Sequence, residues 1–407
     1  SGLYRTISSR EDLLAACLER IAAEVDVPGT GRRWPDAVRA HAEAIWAMLE
    51  RYPEGLVNQG VSAELIAQRW SFDRETLDAF AAQSHAPGGE HQLPRNSGRA
   101  LDMDWVDEIR INLSAAERRV ASLPGRRTVK KDAQAAWLLK AVTCIDLTTL
   151  NGDDTTERVK RLCAKAKAPV RGDLLERLGF AERQLHTGAV CVYHRFVGAA
   201  VEALAGSGIP VAAVSTGFPA GLVPHELKLK EIEASVRDGA REIDVVITRE
   251  HVLTGDWRAL YAEVQDFRAV CDNAHLKTIL ATGDLKTLRN VAKASMVCMM
   301  AGADFIKTST GKEGVNATLP VTLAMLRMIR VYQERTGFKI GFKPAGGIST
   351  AKDVLNYQLL MKEELGRDWL EPDLFRIGAS SLLADIERQI EHAVTGRYAA
   401  LSHHATA

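Results

Sequence analysis

From about residue 134 onward, short apolar runs rich in Val and Ile alternate with longer stretches of helical spacing. The runs are "WLLKAVTCIDLT", "GAVCVY", "PVAAVST", "REIDVVI", "HLKTILAT", "ADFIKTS", "FKIGFKP" and "LFRIGAS". Between them lie amphipathic segments such as "HELKLKEIEASVRDGA" and "DWRALYAEVQDFRAVCDNA". Strand followed by helix, repeated, implies parallel strands with crossover helices. Eight such units over roughly 250 residues is the size of a closed barrel, so the fold class expected is α/β, a TIM (β/α)8 barrel. An open doubly wound sheet is the competing arrangement. It usually carries a glycine fingerprint after its first strand, and "CIDLTTLNGDD" has none.

The segment ahead of the barrel has a different pattern. Residues 1–85 read as an all-α extension, with "SREDLLAACLERIAAEV", "WPDAVRAHAEAIWAMLERY", "SAELIAQRW" and "DRETLDAFAAQSH" as helices and Ser9 and Ser71 as N-caps. Residues 86–100, rich in Pro, Gly and polar residues, read as a linker. The barrel is then expected over 101–407, opened by a helical lead-in, "LDMDWVDEIRINLSAAERRVASL".

Alternation along a strand sends neighbouring side chains to opposite faces, and in a barrel one face meets the helices while the other meets the interior. With Ile243, Val245 and Ile247 facing helices, Asp244 points inward. With Ile306 outward, Lys307 points inward. Ile340 and Phe342 outward place Gly341 and Lys343 inside; Leu276 and Leu280 outward place Lys277 inside. Ile145 and Leu147 outward place Asp146 inside. One register applied to five strands sends three lysines and two aspartates into a single interior.

Isolated buried charges cost several kcal/mol or shift their pKa until they neutralise. Asp–Lys bridges that merely plug the barrel are one explanation. The position of the lysines favours another. Lys307 and Lys343 fall late in their strands, next to the C-terminal mouth where barrel active sites sit. Two facing lysines repel, which favours one neutral amine, and a neutral amine attacks carbonyls to form a Schiff base. Lys307 is the candidate nucleophile, Lys343 its perturber, and Asp244 or Asp146 the mover of protons, directly or through a water. The loops "TSTGK", "PAGGIST" and "IGASS" add Thr310, Gly311, Lys312, Gly346, Gly347, Gly378, Ser380 and Ser381. Late barrel loops and a helix N-terminus commonly bind phosphate through backbone N–H groups. The expected ligand is a small phosphorylated molecule.

Composition narrows the picture further. The chain of 407 residues is 46% hydrophobic and 26% charged, an ordinary globular balance. Lys+Arg and Asp+Glu are both 52, so no net field draws it to nucleic acid or membrane. The six cysteines form no C-x-x-C pair or metal-ligand spacing. Reduced thiols in a cytoplasmic protein are expected, with no cofactor and no metal. Nothing reads as a signal peptide or as an apolar run long enough to span a bilayer. A homodimer is compatible with these features.

The strings "DFIKTSTGK", "GFKPAGGIS", "EIDVVI", "DLTTLNGDDT", "VSTGFPAG" and "FRIGASSLL" resemble the motifs of the deoxyribose-phosphate aldolases, class I aldolases with a TIM-barrel fold. The resemblance covers about residues 100–407 and is closer to the longer eukaryote-type branch. It implies reversible cleavage of 2-deoxy-D-ribose 5-phosphate to D-glyceraldehyde 3-phosphate and acetaldehyde. It implies Lys307 as Schiff-base lysine, Lys343 as the lysine that perturbs it and Asp244 as the proton shuttle. Lys312, Gly346, Gly347, Ser380 and Ser381 fall on phosphate loops, and Asp146, Thr148 and Cys191 match positions lining the cavity. Two departures stand out: Ser349 occupies a position that is arginine in many members, and the tyrosine that ends short bacterial members has no match here, where Ala407 comes last, past Tyr398; His194, where proline is common, is a smaller one.

Alternatives are another Schiff-base aldolase acting on a larger sugar, and a barrel turned into a sugar-phosphate sensor reporting through the extension. Retention of Lys307, Lys343 and Asp244 argues against the sensor. Within the extension, short stretches resemble the ligand-binding half of a TetR-type regulator and a helical piece of thiolases. A helical appendage for packing or oligomerisation is the plainer expectation.

Overall fold

Eight parallel strands follow one another in chain order: β1 (Ile145–Thr148), β2 (Ala189–Tyr193), β3 (Val211–Ser215), β4 (Glu242–Val246), β5 (His275–Ile279), β6 (Phe305–Lys307), β7 (Gly341–Lys343) and β8 (Ile377–Ala379). They belong to a computed structural model that describes residues 94–125, 129–180 and 185–400. The helical expectation for residues 1–85, with Ser9 and Ser71 as caps, lies outside the described residues, as does residue range 86–93 of the expected linker.

Each strand from β1 to β6 pairs with the next, and β8 pairs with β1. The remaining seam closes through backbone hydrogen bonds. Phe342 N–H donates to the Leu374 carbonyl at 2.8 Å, Arg376 N–H to Phe342 at 3.0 Å and Gly378 N–H to Pro344 at 2.9 Å. The sheet is a (β/α)8 barrel, as the alternation predicts. Both faces of its strands are covered, which is why the runs are nearly continuous in Val, Ile and Ala rather than alternating.

Local chemistry sets where the outer helices begin. Thr155, Asp256, Thr287, Thr318 and Thr350 each accept a backbone N–H three residues on, from Arg158, Ala259, Asn290, Val321 and Asp353. Each satisfies a donor that the first helical turn cannot pair. Among the described residues no helix is long and apolar enough to cross a membrane. The described cysteines, Cys144, Cys163, Cys191, Cys271 and Cys298, are buried and free.

The structure corrects three boundaries. "WLLKAVTCIDLT" is not one strand: a helix, Lys131–Thr143, runs through its first half and β1 starts at Ile145. A fully buried helix end and a buried strand have the same unbroken apolar look. "FKIGFKP" contributes only Gly341–Lys343 to the sheet. The lead-in is two helices, Met103–Glu108 and Leu113–Ala121, each with its own side-chain cap, Asp102 and Asn112.

Residues 94–100 carry no helix or strand, yet they are anchored to the barrel. Asn96 is buried; its side-chain amide donates to the carbonyls of Met299 and Ala303 at 2.7 and 2.9 Å. Its backbone N–H donates to Asp304 Oδ1 at 2.7 Å.

Candidate active site

The inward positions divide the barrel interior in two. Toward β2 and β3 the wall is apolar, with Cys191, Ala212 and Val214 packed beside Val246 and Ile279. Elsewhere it is charged. Asp146 enters from β1, Glu242 and Asp244 from β4, and Lys277 from β5. Lys307 and Lys343 enter from β6 and β7, and Arg376 from the turn ahead of β8. None of these side chains is more than 3% exposed.

Lys307 and Lys343 lie opposite each other in register on neighbouring strands. Lys307 Nζ donates to Asp244 Oδ2 at 2.8 Å, and Lys343 Nζ donates to the same oxygen at 2.7 Å. Lys343 also pairs with Asp146 Oδ2 at 2.5 Å. Deeper in the barrel, Lys277 pairs with Glu242 and lies 3.3 Å from both Asp146 Oδ2 and Asp244 Oδ1. Arg376 completes the floor by donating from Nη1 to Asp146 Oδ1 and from Nη2 to Glu242 Oε1, each at 2.7 Å.

These contacts push the two facing lysines apart in charge. Burial drives the Lys307 amine below the ordinary lysine range, and the neighbouring Lys343 adds to this, outweighing the pull of Asp244. Burial also opposes the charge on Lys343, but Asp146 and Asp244 together overcome it and hold that ammonium well above the ordinary range. Burial disfavours the Asp244 carboxylate, yet the surrounding lysines keep it ionised, well below the usual carboxylate range. One amine is thus prepared as a nucleophile beside one ammonium, with a carboxylate oxygen between them.

Thr148 and Cys191 lie side by side on β1 and β2. The Thr148 hydroxyl donates to the Asp146 carbonyl at 2.7 Å, and burial raises the Cys191 thiol, so it stays protonated. Gly378 sits opposite Asp146. A Cβ there would come 2.9 Å from Ala345 Cβ and 3.4 Å from Lys343 Cε, so its bare backbone lets the Lys343 stem through.

The loops at the mouth carry the residues expected to meet phosphate. Gly346 and Gly347 both have positive φ, and Gly347 is exposed with open space over it. Ser380 and Ser381 are exposed ahead of the helix Leu382–Thr395, and Ser381 makes no side-chain cap to it. Lys312 is exposed. Thr310 and Gly311 differ from the expectation of phosphate donors. Their N–H groups both donate to the Glu313 carboxylate, at 3.0 and 3.1 Å, and the Thr310 hydroxyl joins them at 2.8 Å. An internal anion takes the donors that a phosphate was expected to use. Arg249 stands 3.7 Å from Glu313 and donates to the carbonyls of Ala220 and Pro219 at 2.6 and 3.1 Å, tying the loops after β3, β4 and β6 together. His194 is exposed on a turn after β2, away from the charged interior.

Sequence reasoning missed Glu242, Arg376 and Glu313. The first two were visible: Glu242 is two residues from Asp244 and Arg376 two from Gly378, the same strand parity. Glu313 folds back on its own loop, and no periodicity marks that.

Comparison with known proteins agrees with this geometry. The pattern of the DeoC/LacD family aldolases matches residues 140–386. The human deoxyribose-phosphate aldolase is 62% identical over 307 residues, covering 75% of this chain and 96% of its own length. The mouse deoxyribose-phosphate aldolase is 62% identical over 305 residues, covering 74% and 96%. Among solved structures, a candidate deoxyribose-phosphate aldolase of Toxoplasma gondii ME49 has a TM-score of 0.55 at 20% identity, covering 66% of this chain and 97% of that one. At that identity the likeness speaks for the barrel alone. With an inward lysine pair, a matching family pattern and relatives covered almost end to end, the chain belongs to the DeoC/LacD family of aldolases.

Proposed function

We propose that this barrel is a class I aldolase that reversibly cleaves 2-deoxy-D-ribose 5-phosphate into D-glyceraldehyde 3-phosphate and acetaldehyde through a Schiff base on Lys307. The observation that carries the reading is the single oxygen, Asp244 Oδ2, shared by Lys307 at 2.8 Å and Lys343 at 2.7 Å. It leaves one lysine positioned as free amine and its neighbour as ammonium.

The Lys307 amine adds to C1 of the open-chain sugar, giving a carbinolamine. The Lys343 ammonium, within reach of the same carboxylate, returns a proton to the departing hydroxyl, and water leaves to form the iminium. Acetaldehyde carries two carbons, so the bond that breaks is C2–C3. Asp244, directly or through a water, takes the proton of the C3 hydroxyl. The C2–C3 electrons flow into the iminium, C3 becomes the aldehyde of glyceraldehyde 3-phosphate, and an enamine remains on Lys307. Protonation at C2 and addition of water release acetaldehyde and restore the amine. The iminium nitrogen is the electron sink throughout. The apolar side of the interior keeps water away from the ions and so strengthens their influence on one another.

This reading puts the phosphate at Lys312, Gly346, Gly347, Gly378, Ser380 and Ser381, on β8 and the loops after β6, β7 and β8, supported by the tendency of late barrel loops and helix N-termini to bind phosphate. Incubating the chain with 2-deoxy-D-ribose 5-phosphate tests the reading. Equal amounts of glyceraldehyde 3-phosphate and acetaldehyde are expected; consumption of neither substrate nor products in the reverse direction would reject it.

A further inference from the structure

The charged interior holds an uneven count. Lys277, Lys307, Lys343 and Arg376 can carry four positive charges, whereas Asp146, Glu242 and Asp244 supply three negative ones. These groups come from β1, β4, β5, β6, β7 and the turn before β8; His275, which shares the strand face of Lys277 and stands in register with Glu242, enters the count as neutral. The other two strands add no charge: β2 offers the Cys191 thiol, and β3 offers Ala212 and Val214. A space this well shielded from water removes an excess charge most cheaply by releasing a proton.

Geometry decides which group releases it. Arg376 cannot, because a guanidinium stays protonated in proteins. Lys277 lies within ion-pair distance of Asp146, Glu242 and Asp244, and Lys343 of Asp146 and Asp244. Lys307 has Asp244 alone, on an oxygen it shares with Lys343. The lysine with the weakest anionic support is the one facing the mouth. Arg376 pairs with Asp146 and Glu242 but not with Asp244, the partner of Lys307. It sits at the closed end of the barrel against Gly188, where a Cβ would come 3.3 Å from its Cδ and Nε. From there it holds Asp146 and Glu242.

We propose that Arg376 is a positioning residue for the aldolase reaction: by pairing with Asp146 and Glu242 from the closed end, it leaves the interior one carboxylate short and thereby keeps Lys307 uncharged without touching substrate. The proposal rests on Lys307 being the Schiff-base lysine.

Counting gives opposite signs for two variants. Arg376→Met removes a cation, so three carboxylates face three lysines and Lys307 keeps its proton to higher pH. Glu242→Gln removes a carboxylate, so the excess grows and Lys307 loses its proton at lower pH. The double variant leaves three lysines and two carboxylates, the wild-type excess.

The test measures reductive trapping of the full chain with acetaldehyde and borohydride across a pH series, with peptide mapping of Lys307. The acid limb of trapping should move up by about one pH unit in Arg376→Met and down in Glu242→Gln. It should return close to wild type in the double variant. Where Arg376→Met does not fold, Glu242→Gln and the double variant carry the same comparison. Limbs that coincide in all folded variants, with only the amount trapped reduced, would show a packing role and overturn the proposal. Adduct absent from Lys307 in the wild type sinks the Schiff-base reading itself, a result distinct from a Lys307 adduct whose pH limb does not move.

Discussion

Lys343 donates to the same carboxylate oxygen as Lys307, Asp244 Oδ2, from the neighbouring strand and in direct register with it. Sharing one acceptor ties the protonation of each lysine to the other. The lysine that also reaches Asp146 stays charged, and the one that does not becomes the nucleophile.

The first prediction follows from that sharing. Lys307 reacts as free amine, so activity is lost as pH falls through its lowered pKa. Lys343→Met removes a neighbouring cation and leaves Asp244 and Asp146 to act on Lys307, raising that pKa. The acid limb of the kcat/KM profile should move to higher pH by roughly one to three units. A steady-state pH profile of the variant reads this directly, and an unmoved limb would count against the coupling.

Gly378 supplies a second prediction. A methyl group there would sit 2.9 Å from Ala345 Cβ and 3.4 Å from Lys343 Cε. Gly378→Ala should therefore displace the Lys343 stem and crowd the seam, costing about 1–3 kcal/mol of stability. Turnover should fall by more than the loss of folded protein explains. Urea unfolding together with activity per folded molecule separates the two effects. A variant with wild-type stability and turnover would mean that Lys343 is not held by this close approach.

Asn96 gives a prediction about stability without chemistry. Its buried amide satisfies the Met299 and Ala303 carbonyls and accepts the Gly98 N–H at 3.0 Å. Asn96→Ala takes the partner from the Ala303 carbonyl and the Gly98 N–H, while the Met299 carbonyl keeps the Gly302 N–H, at a cost of about 1–3 kcal/mol. The Lys307 trapping profile should not change, because no group in the charged interior contacts Asn96. A chemical unfolding curve and the trapping profile, measured on one preparation, check both halves.

Ser349 lies exposed in the loop after β7, beside the open backbone at Gly347. Ser349→Arg introduces a charge-assisted donor at the proposed phosphate end, worth about 1–2 kcal/mol, or roughly a five- to thirtyfold lower KM. The gain should vanish for 2-deoxy-D-ribose, which lacks the phosphate. An equal effect on both sugars would move the phosphate elsewhere.

The strand parity of "EIDVVI", "DFIKTS" and "KIGFKP" carried most of the site, because alternation is a strict geometric rule once a strand is identified. It placed Asp244, Lys307 and Lys343 inside one barrel, and they are there. The same rule reaches Glu242, two residues ahead of Asp244 on β4, and Arg376, two ahead of Gly378. The occupant of the Thr310 and Gly311 N–H groups was a different matter. Glu313 turns back over three residues in a loop, and loop conformation is set by what it packs on, here Arg249 and the neighbouring loops. The helix at Lys131–Thr143 was hidden for a third reason: its end, residues 137–143, is buried on all sides, which erases the periodicity that separates helix from strand.

The most direct measurement of the central claim is borohydride reduction during turnover of 2-deoxy-D-ribose 5-phosphate, followed by mass mapping of the digested chain. Reduction freezes the iminium as a stable secondary amine. The predicted result is a single adduct on the peptide carrying Lys307, with both adduct and turnover lost in Lys307→Arg, whose guanidinium stays protonated. Turnover accompanied by an adduct on another lysine, or turnover near wild type in Lys307→Arg, would contradict the account.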